Sequence, residues 1–119
     1  MEKKEKLPVL DIEKGLERFI GNGKLYRDYL EKFLYDGSCE EFCSAASMGN
    51  SLMADEALHT LIGTSANLSL DRLHNVASEA ALKLKGSDSP ETIQALVDMV
   101  TEAHSEACVA VREYLKGAE

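Results

Sequence analysis

His59 lies in the run Asp55-Glu56-Ala57-Leu58-His59-Thr60-Leu61-Ile62-Gly63, which continues as Thr64-Ser65-Ala66-Asn67-Leu68. If the run is helical, Leu58, Leu61, Ser65 and Leu68 share one side and face a core. His59 is then rotated by about 100° from Leu58, toward solvent. Its helical neighbours are Asp55, Glu56, Ile62 and Gly63. An exposed imidazole in this setting can act as a nucleophile or proton carrier near neutral pH. Gly63 in mid-helix costs about 1 kcal/mol relative to alanine, so local stability does not account for it. It leaves room beside the ring for a bulky tetrahedral group, or for the close approach of another protein.

The other chemically capable residues read more plainly. Cys39 and Cys43 share a helix face and could pair on a metal, but no further ligands at zinc-site spacing accompany them. They read as small, partly buried hydrophobes. With Cys108 they form an odd set without disulfide-framework spacing, which suits a reducing compartment. His74, beside Leu73, reads as a solvated side chain, and His104, between Val100 and Ala107, as a hydrogen-bonded, partly buried one. Glu40-Glu41 reads as a solvated face, and Met48, Met53 and Met99 as core filling. Glu-x-x-His motifs do not occur as a pair, and no nucleophile–base constellation supports an enzyme.

The elements that position these residues are helical, with no strand-like alternation anywhere. Asp11 caps a short helix to about Ile20, ended by Gly21-Asn22-Gly23. A second helix is expected from Lys24 to Ala46, with Leu25, Tyr29, Phe33 and Leu34 on one side. Asp36-Gly37-Ser38 followed by Glu41 resembles a fresh capping box, so this helix should bend or restart near Gly37. After Met48-Gly49, Asn50 or Ser51 caps a third helix that runs to about Leu68. Ser69 then caps a fourth, beginning at Leu70 or Asp71, with Leu73, Val76, Ala77, Ala80 and Leu84 as its apolar stripe. Within Gly86-Ser87-Asp88-Ser89-Pro90, Gly86 closes that helix and Ser89 with Pro90 opens the last. Ile93, Leu96, Val97, Val100, Ala107, Val111 and Tyr114 recur along it at helical spacing. Short loops between amphipathic helices imply antiparallel neighbours. The expected fold is all-α, an antiparallel up-and-down four-helix bundle with a short additional N-terminal helix. It forms a single domain over residues 1–119, with a charged, flexible lead at 1–8.

Composition agrees with one globular domain: 119 residues, 45% hydrophobic and 29% charged, enough for one modest core. The net charge of −8 speaks against nucleic acid and against anionic membrane surfaces as partners. No apolar run approaches the roughly 20 residues that span a bilayer, and the charged N-terminus lacks a secretory signal's apolar core. A cytoplasmic, monomeric protein is expected. The initial Met and tapering C-terminus favour a whole protein over a fragment of a hybrid sensor kinase.

The segment around His59 resembles the signature of the histidine-containing phosphotransfer (HPt) family, a His-x-Leu-Lys-Gly-Ser-Ala-like run on a bundle helix. His59, Leu61, Gly63, Ser65, Ala66, Asn67 and Leu68 carry the match. The similarity extends to Leu7-Pro8-Val9-Leu10-Asp11, to Gly15-Leu16 with Arg18, and to Tyr26, Leu30 and Phe33. It covers roughly residues 7 to 85, and the last helix matches only in pattern.

This resemblance implies a phosphorelay intermediate of a two-component system, a phosphocarrier rather than an enzyme. His59 would accept a phosphoryl group from the phosphoaspartate of a response-regulator receiver domain and pass it to another receiver, with a hybrid sensor kinase as a further partner. The chain itself would need no cofactor, since the receiver supplies Mg²⁺ and a lysine. Transfer of this kind depends on positioning and on neutralising charge on the equatorial oxygens. One departure stands out: the family's lysine three residues after the histidine is Ile62 here. Asp55 or Glu56 could orient the ring by a hydrogen bond, yet their charge would also repel an incoming phosphate. Ile62 would offer an exposed apolar contact to a receiver. Helix lengths place Lys83 or Lys85 near the level of His59, where either could supply the missing charge. Ile62 also keeps open an alternative, a non-phosphorylated HPt-like module that docks receivers without relaying phosphate.

Overall fold

The computed structural model describes residues 7–86 and 89–117. Among them the chain forms six helices and no strand: α1 Ile12–Arg18, α2 Gly23–Phe33, α3 Ser38–Ser47, α4 Ser51–Leu68, α5 Asp71–Lys85 and α6 Pro90–Gly117. Local chemistry sets most of the starts. The side chains of Asp11, Asn22 and Asn50 accept from the amides of Lys14, Leu25 and Met53 at 3.1, 3.0 and 3.1 Å. Each bond satisfies one otherwise unpaired donor of a first turn. Ser89 Oγ accepts from the Thr92 amide at 3.4 Å and donates to Glu91 at 2.8 Å. The Ser89 bond, with Glu91's own amide, holds the Glu91 carboxyl below its ordinary pKa. After α1, Gly21 takes φ +73° and returns its amide to Leu16 O at 2.8 Å, a conformation that suits glycine.

The restart expected near Gly37 is present, and one other boundary differs from expectation. The helix expected over 24–46 is two helices. Asp36 Oδ1 accepts from both the amide and the hydroxyl of Ser38, at 2.7 and 2.6 Å, and α3 restarts with Gly37 at its N-cap. Ser38 therefore lies inside α3 and donates to Asp36 instead of capping. Ser69 does not cap α5 either. It ends α4 in the left-handed conformation at φ +60°, and Leu70 begins α5 without a side-chain cap bond. The Ser69 carbonyl instead accepts from the Asp11 amide at 2.9 Å, and its hydroxyl accepts from Arg18 Nε at 3.4 Å. The α4–α5 corner is thus tied to α1.

Helix α3 packs on α4, α4 on α5, α5 on α6, and α6 returns to α3; α2 lies against α6 and α4. The 28 residues of α6 extend about 42 Å at 1.5 Å each, close to the longest dimension of 45 Å. The buried stripe of α2 is Tyr26, Leu30 and Phe33, whereas Leu25 and Tyr29 are largely exposed. Met48 and Met53 are not core filling: they are 74% and 55% exposed, at the start of α4. Met99 does pack against the core. Gly15 lies so close to Tyr26 that a Cβ there would overlap the phenol ring. The Tyr26 hydroxyl donates to Leu68 O at 2.9 Å, and burial raises its pKa. Of the lead expected at 1–8, Leu7 and Pro8 belong to the folded structure. Arg72 donates from Nε and Nη2 to Leu7 O at 3.1 and 2.8 Å, and from its amide to Pro8 O at 3.1 Å. Residues 1–6 of that lead, Ser87 and Asp88 of the expected Gly86-to-Pro90 boundary, and residues 118–119 lie outside the described residues.

Candidate functional site

Helix α4 buries Ala54, Ala57, Leu58, Leu61, Ser65 and Leu68. These positions fall on one side at 3.6 residues per turn, so the opposite side carries Glu56, His59, Thr60, Gly63 and Asn67 into solvent. The His59 side chain is 59% exposed, and its Nε2 lies 3.4 Å from Asp55 Oδ2. That is longer than a well-formed N–H···O bond, and an exposed pair of this spacing contributes about 0.3–0.5 kcal/mol. Asp55, not Glu56, is the carboxylate beside the ring. Its other oxygen, Oδ1, is buried without a hydrogen-bond partner. One turn beyond His59, a Cβ on Gly63 would meet no atom within 4 Å. No contact inside the described structure calls for glycine at that position.

Ile62 is half-buried and packs against the core. It offers little of the exposed apolar contact expected of it, because position 62 lies on the flank that meets α5. There the Ile62 carbonyl stands 3.3 Å from His74 Nδ1. His74 is accordingly half-buried between helices, not a solvated side chain.

The contact between Ile62 and His74 also sets the register of the antiparallel pair. Counting about 1.5 Å per residue from it, His59 is level with Ala77. Lys83 and Lys85 then sit about 9 and 12 Å further along the axis. Lys85 shares the α4-facing stripe of His74, Ser78 and Ala81. Lys83 follows Val76 by two turns, on the flank that forms a depression with α6. No ion pair joins either lysine to His59 or Asp55 among the described residues.

A depression of about 390 Å³ opens on the other flank of α4. It is lined by Tyr29, Lys32, Phe33 and Asp36 from α2 and its exit, and by Gly63, Thr64, Asn67 and Leu68 from α4. Lys32 Nζ rests 5.0 Å from the centroid of the Tyr29 ring. Sequence reasoning does not single out Lys32, since only the packing of α2 on α4 brings it beside Gly63.

The remaining candidates gather between α3 and α6. Cys39, Cys43 and His104 line one recess, and Cys108 Sγ lies 3.8 Å from His104 Nε2. Cys39 and Cys108 are buried and Cys43 half-buried. Desolvation, reinforced by Cys43, pushes the Cys39 thiol up to about 12, and burial also raises Cys108. Thiols held protonated in this way behave as small hydrophobes. No group of three or more His, Cys, Asp or Glu side chains among the described residues is arranged to hold a metal ion. His104 is half-buried, with its ring 5.4 Å from that of Phe33. Burial lowers its pKa from 6.5, and Arg112 adds to this, while Asp36 and Glu40 oppose it. Glu40 and Glu41 are exposed. Among the described residues, no helix is long and apolar enough to cross a membrane.

Comparison with known proteins adds no relative: no family model matches the chain, and neither a curated protein nor a solved structure is significantly similar to it.

Proposed function

We propose that the chain is an HPt-like four-helix bundle, with α2 and α3 together forming its first, broken helix, and that it acts as a phosphorelay intermediate through His59. The observation that carries this reading is the pairing of an exposed imidazole with an unfilled glycine one turn away on a helix whose other side is fully buried. The reaction needs little from the chain beyond that placement. A neutral ring nitrogen attacks the phosphorus of a receiver's acyl phosphate, a P–N bond forms, the P–O bond breaks, and the aspartate leaves as carboxylate. The second ring nitrogen keeps its proton. The receiver supplies Mg²⁺ to spread the charge, and the return step delivers the group to a second receiver. A proton on Nε2 favours the 3.4 Å contact with Asp55 Oδ2, so attack by Nε2 requires the ring to leave that contact and to carry its single proton on Nδ1. At 3.4 Å, longer than a well-formed hydrogen bond, the contact is a weak restraint on the ring.

Labelling from a phosphorylated receiver tests the proposal. Acid-labile, alkali-stable label on the wild type and none on His59→Gln is the expected result. Absence of His59-dependent label from every receiver offered would overturn it. A second reading, a docking module that binds receivers without relaying phosphate, is favoured by one feature. Ile62 removes the cation nearest the ring, and neither Lys83 nor Lys85 is ion-paired to Asp55 or His59 in its stead.

A further inference from the structure

We infer that Lys32 supplies the positive charge of this site, and that the recess between α2 and α4 receives an acidic segment of the receiver partner; the inference rests on the relay or docking reading of His59. The recess touches the site directly, because Gly63 forms part of both its wall and the open backbone beyond His59.

Three observations converge on that occupant. First, Gly63 is unfilled from within, so the space its missing side chain leaves is available to an outside group. A mid-helix glycine that costs about 1 kcal/mol and relieves no internal clash points to a body approaching from solvent.

Second, the cation of the recess is not ion-paired among the described residues, although one carboxylate shares the lining. Lys32 and Asp36 are its two charged residues, but Asp36 Oδ1 is engaged by the amide and hydroxyl of Ser38 at 2.7 and 2.6 Å. Lys32 has no ion pair among the described residues. Its neighbour is the face of Tyr29 at 5.0 Å, and Tyr29 is itself braced edge-on by Phe19 at 5.4 Å. A cation over an aromatic face keeps its charge while losing some of its freedom. Elsewhere, Lys14 is paired with Asp71 at 2.9 Å, Lys24 with Asp28 at 3.4 Å and Arg72 with Glu106 at 2.8 Å.

Third, the recess offers an acidic segment polar partners beside an apolar wall of Tyr29, Phe33 and Leu68. Thr64 and Asn67 bring hydroxyl and amide groups to the recess beside the exposed Gly63 backbone. In a protein of net charge −8, one cation so placed favours the approach of an acidic partner face. Lys32 therefore acts on docking, and the P–N chemistry stays with His59.

Binding and transfer measured side by side test this. Purified receiver domains of the same cell are titrated against wild type, His59→Gln, Lys32→Gln and Lys32→Arg, with Lys24→Gln as a control cation outside the recess. Circular dichroism confirms that each variant is folded. Lys32→Gln should weaken receiver binding about fivefold, with a shallower salt dependence, as loss of one exposed interfacial charge pair does. Lys32→Arg should restore most of the loss, and Lys24→Gln should change binding less than twofold. In the transfer assay, Lys32→Gln should raise KM and leave kcat within twofold. Unchanged binding and KM for Lys32→Gln, with His59-dependent label intact, would overturn the inference and leave the relay reading standing. Lys32-dependent binding without any His59-dependent label would sustain the recess and overturn the relay. No binding by any receiver would overturn both.

Discussion

On α4, His59 stands in solvent with one carboxylate at 3.4 Å and open backbone a turn beyond it. On α6, His104 is packed against the Phe33 ring at 5.4 Å and the Cys108 sulfur at 3.8 Å. The same side chain is thus placed where added charge can be hydrated and where it cannot. A phosphorylated imidazole carries a dianion that must reach water, Mg²⁺ or a protein cation. The His59 face permits that, whereas half-burial between α3 and α6 adds a desolvation cost. Even a single proton is disfavoured there, as the lowered pKa of His104 records. Position on the helix, and not residue type, separates a candidate site from core.

The sharpest way to break this contrast is to exchange the two losses. His59→Gln should abolish labelling by a phosphorylated receiver while urea unfolding shifts by less than about 0.5 kcal/mol. His104→Gln should leave labelling in place. Label that survived at position 59's expense and vanished with His104 would invert the assignment.

Next in size is Phe33→Ala, which removes the ring beneath His104 and opens the core between α2 and α6. It should cost about 3–5 kcal/mol in urea unfolding. A cost below 1 kcal/mol would mean that the layer around His104 is not packed as described.

Ile62→Lys acts on the other side of the comparison. It restores the cation missing beside His59 and should prolong the lifetime of the labelled protein severalfold. It also removes a half-buried contact against α5, at about 1 kcal/mol. A longer lifetime without loss of stability would place position 62 further into solvent than its packing indicates.

The smallest effect is a pH slope. The folded His104 value lies below 6.5, so between the two values the unfolded chain binds more protons and stability rises with pH. The His104 contribution is complete above about pH 6.5 and is lost as pH falls through the folded value. Urea titrations from pH 7.5 to 5 should show this limb in the wild type and a flatter one in His104→Leu. Equal slopes would assign the limb to other groups.

What was legible in the sequence was local. Asp11 and Asn50 cap where their side chains and spacing require, and Ser89-Pro90 opens α6, because each depends on neighbours within one turn; the cap at Asn22, read only as part of a helix end, was missed. The exposed His59 and the buried Leu58, Leu61, Ser65 and Leu68 followed from one period. The failures are tertiary. The stripe of α2 came out rotated, since Leu25 and Tyr29 are as apolar as Tyr26 and Leu30 and only the partner helices choose between them. Ser69 was drawn from capping by α1, which ties the corner it occupies. Met48 ends α3 and Met53 lies in the first turn of α4, so both flank the α3–α4 turn and are exposed. The rotation of α5 decided where Lys83 and Lys85 lie, and the packing of α2 on α4 brought Lys32 to the site.

The length of α6 has a dynamic consequence. Apart from Pro90 at its first turn and Gly117 at its last, its 28 residues contain neither proline nor glycine. It touches α2, α3 and α5 along nearly the whole molecule. A single uninterrupted helix packed on α2, α3 and α5 couples the opening of those three helices. Amide protons near Val100 and Ala107 should therefore exchange only through global opening, whereas those at the start of α4, beside the exposed Met48 and Met53, can exchange by fraying. The histidine of α4 is thereby carried on an element that is loose at one end and anchored, through Tyr26 and Leu68, at the other.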